Sequence, residues 1–414
     1  MDTREQRGIE LANTRKIIRK AQVYFVPSQS GPGEYQVTID DVIPKCTCPD
    51  FEMRKVKCKH IFAVEFTVKR ECDKDGNTTV TQTLTVKRKT YKQNWPAYNA
   101  AQSQEKAQFA VLLNDLCKDI QDPVQAMGRK RHSLRDLIFS SAYKVYSTVS
   151  GRRFTTDMQE AEKNGFVSKA PHYNSIFRCF ENPSLTPILR SLITKSSLPL
   201  KSVETDFAVD ASGFSTVRTM TWFEARYENH GDMHTWLKMH LMTGVKTNVV
   251  TSVEITDAYA GDAPQFSSLV KTTAQHFQLN EVSADKAYSS HRNLELVKQI
   301  GGIPYIPFTS NAVEPKEECS IWSKMYHLYR FNREKFLEHY HKRSNVESTF
   351  NMIKAKFGEK IRSKTEVAQI NEALAKVLCH NICVVIQSIF ELGIAATFEA
   401  ELSLAPKVDQ IPDI

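Results

Sequence analysis

Apolar and polar residues follow a mixed pattern over the first 95 residues of the chain. Residues 3–22 have helical spacing and predict a polar helix, and the runs QVYFVP and EYQVTID, separated by SQSGPGE, predict two strands. The segment IFAVEF predicts a second helix, and a further hairpin is predicted around CDKDGNTTV. A small α+β unit is therefore expected over residues 1–95, with the basic, aromatic stretch TVKRKTYKQNWPAYN as the linker that leaves it.

The pattern becomes helical over residues 96–200. Helices are predicted in AQFAVLLNDLCKDI, LRDLIFSSAYKVYSTV and SIFRCF, and the breaks fall at Pro123, Gly151, Pro171 and Pro183. From residue 201 to 396 strands come first, in TDFAVDAS, TMTWFEARY and WLKMHLMTG, which fit an antiparallel meander. Helices and strands then alternate through PQFSSLVKTTAQHF, EVSADKAY, HRNLELVKQIG and IPYIPF, before two long helices. This order predicts an α/β fold with a mixed sheet and helices on its faces, followed by a tail over residues 397–414.

The most apolar predicted helix is NEALAKVLCHNICVVIQSIFELG. Polar residues interrupt it at Lys376, His380, Asn381 and Gln387, so a buried core helix is the better interpretation than a membrane span. The chain has no apolar run of eighteen residues, and its polar start does not fit a signal peptide. We expect a soluble intracellular protein with no membrane partner.

Composition narrows the class of protein. With 41% hydrophobic and 25% charged residues among 414, the chain can bury real cores, and 15 glycines and 16 prolines exclude collagen-like or low-complexity sequence. A net charge of +8 gives a mild preference for polyanions. Nine cysteines is an odd number, and most stand alone in apolar segments, so a disulfide framework is not expected.

Four metal-ligand residues lie close together near the start of the chain. Cys46, Cys48, Cys58 and His60 form the pattern C-x-C-x9-C-x-H. Three thiolates and an imidazole fill all four positions of a tetrahedral Zn²⁺ site, which predicts a structural rather than a catalytic metal. The segment resembles the SWIM zinc finger, on the strength of Phe51 and the run Cys58-Lys59-His60-Ile61. That resemblance implies a small zinc-stabilised module that binds DNA or protein.

Two carboxylates end similar predicted strands. Asp210 follows FAV and Asp285 follows VSA, and ligands in mixed sheets gather where strands end. Each could also be a simple turn or cap residue. Asp206, four residues before Asp210 on the same strand face, is the alternative for the first position, whereas Asp257 and Asp262 fit helix capping better.

A third carboxylate lies on a predicted helix. At about 100° per residue, Tyr340, Arg343, Glu347 and Lys354 fall within an arc of about 60° on one helix face. An ordinary solvated face is the alternative. Cleavage of phosphodiesters by two metal ions needs hard oxygen ligands converging from different elements, with cations beside them to hold the DNA backbone.

The spacing Y-x2-R-x3-E-x6-K resembles the YREK signature of insertion-sequence transposases with a DDE active site, and the runs DASGFS and ADKAYSS resemble its first two aspartate regions. The resemblance implies a ribonuclease-H-like fold that binds Mg²⁺ or Mn²⁺ through Asp210, Asp285 and Glu347. It also implies that Tyr340, Arg343 and Lys354 contact transposon-end phosphates. Only 61 residues separate Asp285 from Glu347, which leaves little room for the β-rich insertion that some relatives use in a hairpin route.

Further DNA contacts are predicted outside this signature. The basic tract KAKFGEKIRSK, which contains Lys356, continues the helix of Glu347, and it is expected to touch DNA. The helical middle region carries basic residues around an apolar helix, which fits a helix-turn-helix-like DNA contact equally as well as a solvated basic face. If the first interpretation holds, the contacts are Arg129, Lys130, Arg131, Arg152 and Arg153.

The sequence thus predicts a transposase that cleaves transposon-end DNA and transfers the strands into target DNA. Its parts are a zinc module over 1–95, a DNA-recognition region over 96–200 and a catalytic domain over 201–396. We expect a homodimer on double-stranded DNA, no organic cofactor, and a place in the cytoplasm, on the nucleoid, of a prokaryotic host. The alternatives are a domesticated, non-catalytic DNA-binding protein, a nuclease without strand transfer, and a protein-interaction adaptor.

Overall fold

The protein divides into two compact units, Met1–Tyr91 and Lys92–Ile414. The structure is a computed structural model. It describes residues 3–20, 23–29, 33–38, 44–54, 56–72, 94–124, 131–216, 236–309, 312–313, 320–396 and 398.

The first unit packs helices against a small antiparallel sheet. Its strands β1 (Ile18–Lys20), β2 (Val23–Pro27), β3 (Glu34–Thr38) and β4 (Lys45–Cys46) pair in that order. Helix α1 (Thr3–Thr14) packs on α3 (Lys59–Cys72), with the short α2 (Pro49–Arg54) between β4 and α3. Gly8 allows this close packing, because a Cβ there would lie 2.5 Å from the Cβ of Phe62.

The structure of this unit differs from the sequence prediction at one helix, and one predicted hairpin lies mostly outside the described residues. The helix predicted over residues 3–22 ends at Thr14, since Ile18–Lys20 instead pair with β2. The hairpin predicted around CDKDGNTTV begins at Cys72, which ends α3, and its other residues lie outside the described ones.

Five helices are described between residues 95 and 197. They are α4 (Trp95–Cys117), α5 (Leu134–Ser147), α6 (Thr155–Lys163), α7 (Tyr173–Phe180) and α8 (Leu185–Ser197). Helix α4 begins within the predicted linker, because the Asn94 side chain accepts a hydrogen bond from the Ala97 amide and Pro96 suits the first turn. The Ser133 hydroxyl caps α5 in the same way at the Asp136 amide.

A five-stranded mixed sheet forms the centre of the second unit. Its strands are β5 (Asp206–Ser215), β6 (Trp236–Gly244), β7 (Val250–Asp257), β8 (Glu281–Ala284) and β9 (Ile303–Tyr305), in the order β7-β6-β5-β8-β9. The first three are antiparallel neighbours, whereas β8 and β9 run parallel to β5. The prediction missed β7, and the predicted strand TMTWFEARY lies outside the described residues.

Six further helices complete this unit. They are α9 (Ala263–Ala274), α10 (His291–Gln299), α11 (Ile321–Phe331), α12 (Arg333–Tyr340), α13 (Ser344–Phe357) and α14 (Glu366–Leu392). Helices α9 to α11 pack on one face of the sheet, where Phe207 and Val209 point. The other face, where Ala208 and Phe214 point, packs on α13, α14 and the helices before the sheet. The ribonuclease-H-like mixed sheet with flanking helices is confirmed, and the helical middle region shares a core with it.

Helix α14 lies inside this shared core. It is long and apolar enough to span a membrane, but 78% of its most apolar window is buried within the protein. The buried side chain of Asn381 fixes the position of this helix. Its amide nitrogen donates to the carbonyl oxygens of Ile193 and Val250, and its amide oxygen accepts from the Val250 backbone amide. The predicted core helix is therefore confirmed.

Candidate metal centres

The four predicted zinc ligands converge in the first unit. Strand β4 brings Cys46, the turn after it brings Cys48, and the start of α3 brings Cys58 and His60. All four are buried, and their ligand atoms lie within 4.8 Å of one another. The Cys46 and Cys58 sulfurs are each 3.9 Å from His60 Nδ1, near the ligand separations of a tetrahedral zinc site.

The chemistry of this cluster also fits zinc. A hydrogen bond from Cys46 lowers the pKa of the Cys58 thiol to about 3, while the same hydrogen bond and burial raise the pKa of Cys46. One thiolate is thus already favoured among three buried sulfurs, and a divalent cation would favour the others. The Tyr35 ring packs over His60 at 4.6 Å between ring centroids and holds the imidazole in place. The cluster leaves no fifth protein ligand or open position for catalysis.

Asp210 and Asp285 lie side by side in the second sheet, but Asp210 does not end its strand as predicted, because β5 continues to Ser215 in its pairing with β6. Strands β5 and β8 are parallel neighbours in which Val209 pairs with Ala284. Asp210 and Asp285 directly follow this pair, at the point where the pairing of β5 with β8 ends, so the sheet itself aligns them. The Asp285 carboxylate accepts a 2.6 Å hydrogen bond from the Lys286 amide, which begins a short 3-10 turn at residues 286–288.

Glu347 reaches the same place through Arg343. The Arg343 guanidinium donates to Asp210 Oδ2 at 2.6 Å and to Glu347 Oε1 at 2.5 Å. The predicted single helix is wrong in one respect, since α12 ends at Tyr340 and a 3-10 turn at 341–343 precedes α13. The side chains still share a face, and the Arg343 guanidinium carbon lies 5.8 Å from the Tyr340 ring centroid.

The electrostatics confirm that these carboxylates are neighbours. Burial raises the pKa of Asp210, Arg343 opposes this rise, and the charges of Asp285 and Glu347 add to it. Burial also raises the pKa of the Tyr340 phenol, and the negative charges of Asp285 and Asp210 raise it further. Two carboxylates therefore share the Arg343 guanidinium and Asp285 lies close to Asp210, an arrangement of hard, anionic oxygen that suits a divalent cation.

Lys354 lies further along the same side of the sheet. Its ammonium is 5.2 Å from the centroid of the Phe214 ring, which shares the strand face of Asp210, and 3.3 Å from the Glu359 carboxylate. The alternative aspartate, Asp206, instead pairs with Lys342 at 2.7 Å.

Asp262 does not cap α9 as predicted. The structure shows no hydrogen bond from the helix to its side chain, and its carboxylate lies 2.6 Å from the Lys238 ammonium instead. Asp257 accepts a hydrogen bond from the Tyr259 amide, as a turn residue does.

The other predicted DNA contacts are scattered. Lys356 pairs with Glu105 at 2.5 Å and so has a partner within the protein. Arg131, Arg152 and Arg153 are exposed. Arg129 and Lys130 lie outside the described residues.

Two known families match this chain at these two sites. Residues 35–69 match the SWIM zinc finger and include all four cysteine and histidine ligands. Residues 201–382 match the transposase DDE domain, from just before β5 into α14, and include Asp210, Asp285 and Glu347. This chain carries a transposase DDE domain.

The DDE domain follows the SWIM zinc finger, in the predicted order. The search of curated proteins for relatives found no match.

Sequence reasoning missed two buried polar groups in the second unit. The Tyr288 phenol is buried behind Asp285, and its hydroxyl makes no hydrogen bond with any described residue. Glu204, 1% exposed, accepts hydrogen bonds from the amides of Lys246 and Thr247 and so fixes the turn after β6. The run A-Y-S-S already contained Tyr288, whereas nothing local predicts the contacts of Glu204 across 42 residues of sequence.

Proposed function

We propose that this protein is an active DDE transposase, which nicks the ends of its element and joins the released strands to target DNA. The observation that carries the proposal is the convergence of Asp210, Asp285 and Glu347 from two neighbouring parallel strands and one helix. Loss of any one carboxylate would have favoured the domesticated, non-catalytic alternative.

Each carboxylate has a distinct setting. Asp210 and Asp285 are fixed by the sheet, whereas Glu347 sits in the first turn of α13 with 52% of its side chain exposed. The sheet thus supplies two rigid ligands and the helix a third that can adjust to substrate. When Mg²⁺ or Mn²⁺ is bound, it would activate the attacking water or 3′ hydroxyl and stabilise the leaving 3′ oxygen.

The cationic side chains would position the DNA. Arg343 sits beside the carboxylates, and its planar guanidinium can hold a phosphate through two hydrogen bonds. Lys354, two helical turns beyond Glu347, would contact the backbone a few nucleotides away as a point charge. Tyr340, stacked beside Arg343, would set the direction of that guanidinium.

The partners follow from the reaction. Two element ends must reach one target site, so we propose a homodimer assembled on double-stranded DNA. The zinc module would contact either DNA or the second protomer.

The test uses the DNA that flanks the gene, carried on a plasmid. Purified protein is incubated with it in Mg²⁺ or in EDTA, beside Glu347→Gln and the control Glu334→Gln, which makes the same change at an exposed position on α12. We expect metal-dependent cuts at defined ends with wild type and Glu334→Gln, and none with Glu347→Gln. Full cleavage by Glu347→Gln would refute the catalytic assignment, and tight end binding without cuts would support the non-catalytic alternative.

A further inference from the structure

A second concave site lies in the same unit, at the far end of α13 from Arg343. It is a cavity of about 460 Å³ between the end of α5, helix α7 and the segment that follows α13. Three phenylalanine rings line it, Phe177, Phe180 and Phe357. Phe177 is 43% exposed, although the other two are buried. A pocket of this size with apolar, aromatic walls fits a flat organic group rather than an ion alone.

One mostly buried lysine lines this cavity. Lys144 is 9% exposed, and its ammonium makes no hydrogen bond or ion pair with any residue that the structure describes. Its stem passes the Phe154 ring, with the nitrogen 5.9 Å from the centroid. Burial and the nearby Arg362 lower the pKa of this lysine, and Glu372 opposes that shift. A buried ammonium of this kind is normally matched by an anion.

The neighbouring charges leave room for such an anion. Glu372 also lines the cavity, but its carboxylate already accepts hydrogen bonds from the amides of Arg362 and Ser363. Lys376 donates to the carbonyl oxygens of Gly358 and Lys360. Four cationic side chains line the cavity, Lys144, Arg362, Lys364 and Lys376, against two carboxylates, Glu181 and Glu372. Glu372 lies 3.9 Å from the Lys376 ammonium. The formal charge of the lining is therefore positive.

We propose that this cavity receives one unpaired nucleotide, with its phosphate on Lys144 and its base among the phenylalanine rings. The inference rests on the proposed function, since DNA held along α13 by Arg343 and Lys354 would continue toward this end of the helix. A base within a duplex is stacked on both sides and cannot enter a pocket. The occupant is therefore an unpaired nucleotide at a strand end or a flipped position, and stacking on an aromatic ring tolerates any base.

The test measures the binding of an unpaired base by the full-length protein. A duplex of arbitrary sequence is prepared blunt, or with a three-nucleotide 3′ or 5′ overhang that carries 2-aminopurine, whose fluorescence is quenched on stacking. We expect about tenfold tighter binding of one overhang duplex than of the blunt duplex, with quenching, as one charge-assisted contact and one stacked base would give. Free deoxyadenosine monophosphate carries the same base and phosphate groups without a DNA strand. We expect it to compete only weakly with the overhang duplex.

The variants connect this preference to the cavity. Lys144→Met keeps the stem and removes the charge, and we expect it to lose most of the overhang preference while blunt-duplex affinity changes less than twofold. Lys271→Met makes the same change at an exposed site on α9, against the other sheet face, and should keep the preference. In wild type, 5-iododeoxyuridine in the overhang should crosslink to Phe177, Phe180 or Phe357, a result that does not depend on any variant folding.

The outcomes separate this inference from the proposed function. All binding is measured in the Glu347→Gln background, so cleavage does not enter. If overhang and blunt duplexes bind equally, if Lys271→Met loses the preference as Lys144→Met does, or if crosslinks fall elsewhere, the inference is wrong whether or not the protein cleaves DNA. Tight binding of the free nucleotide without any overhang preference would also refute the inference, because it would show that the cavity binds a soluble nucleotide and not a DNA strand.

Discussion

Arg343 joins two of the three carboxylates that would bind metal, so we predict that it competes with the cation. Its guanidinium occupies Asp210 Oδ2 and Glu347 Oε1, and so engages two carboxylates that a divalent ion would need. Replacing Arg343 by Gln keeps a hydrogen-bond donor and removes the charge. The free protein should then bind Mn²⁺ more tightly, because those oxygens no longer have to be released first.

The expected gain in Mn²⁺ affinity follows from the burial of the Arg343 contacts. Charges about 4 Å apart at an effective dielectric of about 20 attract by about 4 kcal/mol before desolvation is counted. Arg343 and Asp210 are 20% and 19% exposed, so this contact should keep about 2 kcal/mol, whereas Glu347 is 52% exposed and its share should be below about 1 kcal/mol. About 2 kcal/mol corresponds to an affinity about thirtyfold higher for Arg343→Gln.

The assay is a Mn²⁺ titration of the zinc-loaded, full-length protein without DNA, followed by electron paramagnetic resonance of the free ion. Lys342→Gln is the matched control, since it removes the same charge one residue away from a side chain that pairs with Asp206 and Glu281. Asp210→Asn should abolish the site and so identify it. If Arg343→Gln binds Mn²⁺ no more tightly than Lys342→Gln does, the reasoning is wrong.

Three further predictions concern stability and the zinc module. Burial lowers the pKa of His380 to about 4 from an ordinary value near 6.5, so the unfolded state binds more protons between these values and stability falls as pH drops from about 6.5 toward 4. At about 1.4 kcal/mol per pH unit the loss approaches about 3 kcal/mol, and thermal unfolding of His380→Gln should show a smaller pH dependence. Asn381→Leu should lower the free energy of unfolding in urea by about 3 kcal/mol or more, because it leaves buried polar groups of Ile193 and Val250 unpaired; a loss below 1 kcal/mol would contradict this. Removal of zinc by a chelator, or Cys58→Ser, should make residues 1–72 sensitive to protease while unfolding of the second unit stays unchanged; equal protection with and without metal would contradict a structural zinc.

Local spacing was enough to predict the zinc ligands and the placement of Asp210 beside Asp285. Cys46, Cys48, Cys58 and His60 lie within fifteen residues, so their pattern is visible without a fold. The aspartates could be paired because each directly follows an apolar run that forms one of two neighbouring parallel strands. The pattern did not show that β5 continues beyond Asp210 along β6. The catalytic role of the three carboxylates stays a prediction.

The rest depends on contacts that no local pattern encodes. Lys356 looks like a DNA contact in a basic tract, yet its partner Glu105 is 251 residues away. Strand β7 was missed because its outer end, Glu254 to Asp257, is polar, although its first four residues are buried. Nothing in the local sequence distinguishes Lys144 from other helical lysines, because the cavity that it lines forms only when α7 and the end of α13 pack near it.

The burial of α14 has a consequence for how the protein is made. The helices before the sheet pack against one of its faces, and residues 366–392 fill the middle of this common core. The core is therefore complete only when these residues are present. While a ribosome is still translating Glu347, that apolar surface has no cover, and chaperones can bind it. Folding of the second unit should therefore come late in synthesis, and a messenger RNA cut before α14 would yield a chain for degradation rather than a partial enzyme.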